Sequence, residues 1–126
     1  MKIKQITLNN FRQFKGTQKI EFPEEDGIIT VIHGENGFGK TALLNAFLWG
    51  FYGKDGLTDD FKLQDNLIND VIVQQNKDSA SAYVEIEFSH KKSSYILKRE
   101  INKADTKLIL RSNKGLTSEG IGAQDD

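Results

Sequence analysis

The sequence predicts an α/β fold in which a mixed β-sheet surrounds one buried helix carrying a phosphate-binding loop, and three observations predict it. Ile28-Ile29-Thr30-Val31-Ile32 is an unbroken β-branched run, the pattern of a strand buried on both faces. Gly34-Glu35-Asn36-Gly37-Phe38-Gly39-Lys40-Thr41 follows it and satisfies the spacing G-x-x-x-x-G-K-[ST] at every fixed position. Directly after the loop, Ala42, Leu43, Leu44, Ala46, Phe47, Leu48, Trp49 and Phe51 make a helix apolar nearly all round, which belongs between layers.

The remaining elements follow in order. Ile3, Ile6 and Leu8 mixed with Lys2 and Lys4 read as a half-buried strand, and Ile20 and Phe22 place a second strand beyond residue 17. Residues 9–16 have turn chemistry at both ends, so the two strands form a hairpin. Pro23 and Gly27 bracket a turn before the buried strand, and Gly53 stops the helix. Residues 54–77 are polar and irregular apart from an apolar knot at Leu67-Ile68. Ala82, Val84, Ile86 and Phe88 alternate with Tyr83, Glu85 and Glu87, giving a strand with one wet face. Tyr95, Leu97, Arg99 and Ile101 alternate in the same way, and a short third strand is expected at residues 108–110. Residues 112–126 show no periodicity and are expected to be flexible, which puts the ordered core at about 1–111.

At 126 residues the chain suits one domain. Without cysteine it has neither disulfides nor thiolate metal sites, and His33 and His90 are too few for a metal cluster. The longest apolar stretch, residues 42–52, is too short to span a bilayer, and Met1-Lys2-Ile3-Lys4-Gln5 opens no signal peptide, so no membrane partner and a cytoplasmic setting are expected. A net charge of −1 hides an uneven distribution. Residues 1–20 carry Lys2, Lys4, Arg12, Lys15 and Lys19 with no acid, and residues 91–114 are again strongly basic. Either these are solvated strand faces or they meet on one face that attracts a polyanion.

Each fixed position of the glycine loop has a chemical reason. The loop must turn its amides inward to cradle phosphate oxygens, which requires backbone angles that glycine tolerates. The helix that follows presents free amides and the positive end of its dipole to an anion. Lys40 would reach the terminal phosphates as a point charge, and Thr41 would offer its hydroxyl to Mg²⁺. Phe38 is the unusual member, a bulky ring where a small residue is more common, and its side chain is expected to point away from the phosphates. Asn102-Lys103-Ala104-Asp105 satisfies the N-K-x-D spacing that reads guanine in GTPases. No D-x-x-G precedes it, and it falls between two alternating runs, so we read it as a hairpin turn.

Beyond these readings, the chain resembles the start of an ABC-type ATPase head of the group that holds RecF, SbcC and the structural-maintenance-of-chromosomes (SMC) proteins. The resemblance rests on Leu8, Asn10, Phe11, Arg12 and Phe14 ahead of Ile20 and Phe22, then on residues 31–46 around the glycine loop, then on Tyr52-Gly53, and it covers about residues 1–101. Phe11-Arg12-Gln13-Phe14 with Leu48-Trp49 and Tyr52-Gly53 looks closest to DndD, the SbcC-like ATPase tied to DNA phosphorothioate modification and defence. Position by position, the resemblance implies that Gly34, Asn36, Gly37, Phe38, Gly39, Lys40, Thr41 and Ala42 line the ATP site, with Thr41 on Mg²⁺. Ala42 replaces a common second threonine, so a hydroxyl contact there is lost or replaced by backbone. The resemblance also implies that Arg12 lies by the nucleotide and that Ile68 and Asn69 pass near the base, although Leu67-Ile68 reads equally well as an apolar anchor.

Hydrolysis needs an acidic pair after an apolar strand, to hold the Mg²⁺ water shell and polarise the attacking water. Residues 67–70 imitate this only faintly, and no L-S-G-G signature is present. The expectation is therefore an N-terminal lobe, residues 1–126, of a longer coiled-coil protein, with no catalytic residue in this chain. It would bind ATP and Mg²⁺ without turnover until joined by the C-terminal half of its own head. A second head would pair with it through ATP, and DNA would be the partner of the whole. Two alternatives are a stand-alone module whose dimerisation ATP switches, and a nucleic-acid-binding module with an idle loop.

Overall fold

The computed structural model describes residues 1–22, 37–58, 67–112 and 115–122, with residues 37–41 and 115–122 as backbone. Six strands are present among them: β1 (Lys2–Phe11), β2 (Phe14–Glu21), β3 (Ser81–His90), β4 (Ser93–Asn102), β5 (Thr106–Ser112) and β6 (Gly115–Gly122). They form one sheet in the order β2-β1-β3-β4-β5-β6, and each neighbouring pair is antiparallel. Two helices accompany it, α1 (Gly37–Tyr52) and α2 (Asp70–Asn76), each followed by a 3₁₀ turn. The mixed character expected of the sheet rests on residues 28–32, which lie outside the described residues.

Strand alternation assigns the two faces of the sheet. Ile6 and Leu8 of β1, Ala82, Val84 and Ile86 of β3 and Leu97 of β4 are buried beneath α1 and the segments that follow it. From α1, Ala42, Leu43, Ala46 and Trp49 complete this core, with Phe11 packed on Trp49 at 5.7 Å between ring centroids. Helix and sheet approach closely at Gly50. A Cβ there would stand 2.7 Å from Ile86 Cδ1 and 3.3 Å from Val84 Cγ1, so a glycine in the last turn of the helix is what lets α1 settle on β3. After α1, Gly53 takes φ +74°, a left-handed value that a side chain resists, and the chain leaves the helix axis there. Asn45 draws the next segment back, its Oδ1 accepting from the Thr58 backbone N–H at 2.8 Å and from the Thr58 hydroxyl at 3.2 Å.

Three features differ from, or sharpen, the reading of the sequence. The irregular stretch before β3 contains α2, which is set by local capping and not by periodicity, since Asn69 Oδ1 accepts from the N–H groups of Val71 and Ile72. β6 occupies a stretch without apolar alternation, because a strand can add to the edge of β5 through main-chain hydrogen bonds alone. The tetrapeptide that imitates a guanine-reading motif closes the β4–β5 hairpin. Asn102 Oδ1 accepts from the N–H groups of Ala104 and Asp105 at 2.8 and 2.9 Å, an Asx turn that uses its acceptor locally.

Candidate functional site

The glycine-loop motif and the helix overlap, since α1 begins at Gly37, inside the motif. Gly37, Phe38, Gly39 and Lys40 therefore make its first turn, and Thr41 continues it. The leading N–H groups of an α-helix have no partner within it, so the end of the motif offers donors that the helix itself does not use and a positive partial charge. This is the arrangement that phosphate binding needs. Gly34 and Asn36 lie outside the described residues, as do the side chains of Phe38, Lys40 and Thr41. The Ala42 methyl is fully buried in the core, which leaves only its backbone to serve a ligand.

Arg12 stands at the tip of the β1–β2 hairpin, where Arg12 and Gln13 link the paired residues Phe11 and Phe14. Its φ of +51° is left-handed, as is that of Asn10 at +54°. Holding a non-glycine residue in this region costs about 1–2 kcal/mol, and neighbouring contacts maintain it. Asn10 Oδ1 accepts from the Gly16 N–H at 2.8 Å and spans the turn from inside. From outside, residues 67–69 pair with the tip in an antiparallel bridge between Phe11 and Ile68. The Arg12 N–H donates to the Leu67 carbonyl at 2.8 Å, and the Asn69 N–H donates to the Asn10 carbonyl at 2.7 Å. The Asn69 carboxamide adds a third bond, Nδ2 donating to the Arg12 carbonyl at 2.7 Å.

Arg12 and Asn69 are thus brought together, and with Gln13, Asp70 and Val71 they line a cleft of about 260 Å³. Ile68 faces elsewhere. It is 2% exposed and packs with Ala80, Ala82, Ile72 and Val73, anchoring the segment that carries Asn69. Asn69 also caps α2, a role whose sequence signal is an asparagine directly before Asp70-Val71-Ile72-Val73.

The charge distribution also acquires a geometry. In mid-sheet the outer face of β3 carries Glu85 and Glu87, flanked by Thr7 and Gln5 of β1 on one side and by Lys98 and Ile96 of β4 on the other. At one end the two basic segments meet. Lys2 pairs with Ser89, and Lys4 Nζ donates to Ser94 Oγ at 3.1 Å across β3. Between Ser89 and Ser94 the chain turns through the exposed Lys91 and Lys92. These two lysines take φ +49° and +67°, the twist of a two-residue hairpin turn normally filled by asparagine and glycine. Among the described residues, no helix is long and apolar enough to cross a membrane.

The model of an AAA domain family matches residues 5–125. The DNA double-strand break repair Rad50 ATPase of Methanosarcina mazei is 35% identical over 99 residues, which cover 79% of this chain and 8% of that protein. Its counterpart from Methanocaldococcus jannaschii is 32% identical over 100 residues, with coverages of 79% and 8%. The chromosome partition protein Smc of a Synechococcus species is 33% identical over 89 residues, covering 69% of this chain and 7% of that protein. The chain therefore spans about 8% of the length of the Rad50 relatives it matches.

Proposed function

The chain belongs to the AAA domain family, and from that premise we propose that it is the ATP-binding N-terminal lobe of an SMC/SbcC-like ATPase head that acts on DNA. The observation that carries this reading is the start of α1 inside the glycine-loop motif. That start supplies helix N–H groups where the sequence supplies Gly39, Lys40 and Thr41. In the proposed site the amides of residues 36–40 hold the phosphates, Lys40 neutralises the terminal phosphate charge, and the Thr41 hydroxyl holds Mg²⁺. The metal, when bound, offsets phosphate charge and orients the phosphate oxygens. Arg12 contributes a guanidinium from the hairpin tip.

Within that reading, water attack on the terminal phosphate relies on residues of the C-terminal half of the head, and two heads close on two ATP molecules. The Lys2, Lys4, Lys91 and Lys92 end of the sheet is our candidate for contact with the DNA backbone. Phe11-Arg12-Gln13-Phe14 with Leu48-Trp49 and Tyr52-Gly53 is the basis for likening the protein to the DndD-like ATPases, and the biology we propose is DNA processing, repair or anti-phage defence. Equilibrium titration of ATP with Mg²⁺ against the wild type and Lys40→Ala tests the site. Binding by the wild type that is lost in Lys40→Ala is the expected result, and equal binding by both would overturn the proposal.

A further inference from the structure

We propose that Asn69 is a positioning residue, a clasp that holds the Arg12 turn in its left-handed conformation and so sets where the guanidinium enters the cleft. The inference rests on the reading of Arg12 as a nucleotide ligand. It assigns to Asn69 an action through Arg12 and not a contact of its own with the base.

The geometry carries the argument. Asn69 is 6% exposed, and both ends of its carboxamide are engaged. Oδ1 accepts from Val71 and Ile72 at 3.0 and 3.3 Å and starts α2. Nδ2 donates to the Arg12 carbonyl at 2.7 Å. One planar group thereby ties the first turn of α2 to a peptide unit flanking the strained Arg12 backbone. Its carboxamide is already committed on both sides, which leaves it poorly suited to read a base. Ile68 plugged between Ala80 and Ala82 fixes the height of the clasp, and the Asn69 N–H bond to the Asn10 carbonyl fixes its register. Asp and Ser cap helices well, but neither can donate across to Arg12 as asparagine does. An aspartate offers only acceptors, and a serine hydroxyl is too short to serve both sides.

The experiment is a double-mutant cycle in the full-length protein, reading MgATP affinity for wild type, Arg12→Ala, Asn69→Ser and the double variant. Asn69→Ser retains an oxygen for the cap, so unfolding and helical content should stay close to wild type. Its MgATP affinity should fall about threefold to tenfold, the effect of one lost hydrogen bond. Arg12→Ala should fall by at least as much, and adding Asn69→Ser to it should change nothing further. Multiplying losses, or no loss in Asn69→Ser, would overturn the clasp while leaving Arg12 as a ligand. If Arg12→Ala binds MgATP like wild type while Lys40→Ala does not, the Arg12 reading itself fails and the clasp fails with it. Should Asn69→Ser lower stability, the isosteric Asn69→Asp completes the same cycle. Non-additivity with Arg12→Ala remains the required result, and full additivity overturns the clasp there too.

Discussion

The Arg99 side chain lies beneath the helix that carries the phosphate-loop motif, its Nε donating to the Gly50 carbonyl at 3.3 Å while only 2% of the residue is exposed. Its guanidinium also lies over the Trp49 ring, 5.9 Å from the centroid. A cation near the C-terminal end of α1 complements the helix dipole, and its aliphatic stem fills space between β4 and the helix. Arg99→Ala should lower stability by about 2–4 kcal/mol, because it leaves a buried carbonyl without this donor and a void beneath Trp49. Arg99→Met should recover part of that by filling the void. Urea unfolding measures both, and a change under about 0.5 kcal/mol for the alanine variant would contradict this account.

Trp49 is the sole tryptophan, wholly buried, and its indole N–H meets no acceptor among the described residues. Trp49→Phe should therefore cost little, within about 1.5 kcal/mol, since the smaller ring removes an unsatisfied donor while keeping the contact with Phe11. Trp49→Ala should cost about 3–5 kcal/mol. The same residue gives a direct readout: emission from a dry core that shifts to the red in step with unfolding measured by circular dichroism.

At Gly53 the +74° φ is a backbone requirement, and Gly53→Ala should destabilise the chain by about 1–2 kcal/mol. Thermal unfolding would show it as a lowered midpoint. An unchanged midpoint would mean that the helix end can relax into another turn.

The Lys91-Lys92 turn predicts a trade of binding for stability. Replacing both with Asn-Gly puts residues suited to positive φ where two lysines now sit, and should stabilise the chain by about 1–2 kcal/mol. In the full-length protein the same change should weaken duplex DNA binding and reduce the slope of log affinity against log salt by about two, one per lost cation. Greater stability with an unaltered salt slope would remove this end of the sheet from the DNA interface.

How much of this could be read from the chain depends on the range of the interactions concerned. Periodicity and turn chemistry are local, so the β1–β2 hairpin, the alternation in β3 and β4, the stop at Gly53 and the turn at Asn102 were all legible. So was the helix behind the glycine-loop motif, but not its start: the apolar run places it after Thr41, and α1 begins earlier, at Gly37 inside the motif. α2 escaped because seven residues give too little periodicity, and its signal was a single cap. β6 escaped because edge pairing is written in the backbone and needs no side-chain pattern.

The sequence by itself determined the phosphate-loop motif, the apolar helix behind it and the alternating strands, each a property of neighbours along the chain. Only the tertiary structure decided that Asn69 clasps Arg12 across 57 positions, that Arg99 reaches Gly50 across 49, and that Lys4 and Ser94 meet across 90. It also decided that Ile68 is an anchor in the core while Asn69 beside it serves the cleft. Such pairings depend on which strand lies beside which and in what register, a choice made by burying one shared apolar face, and no local pattern records it.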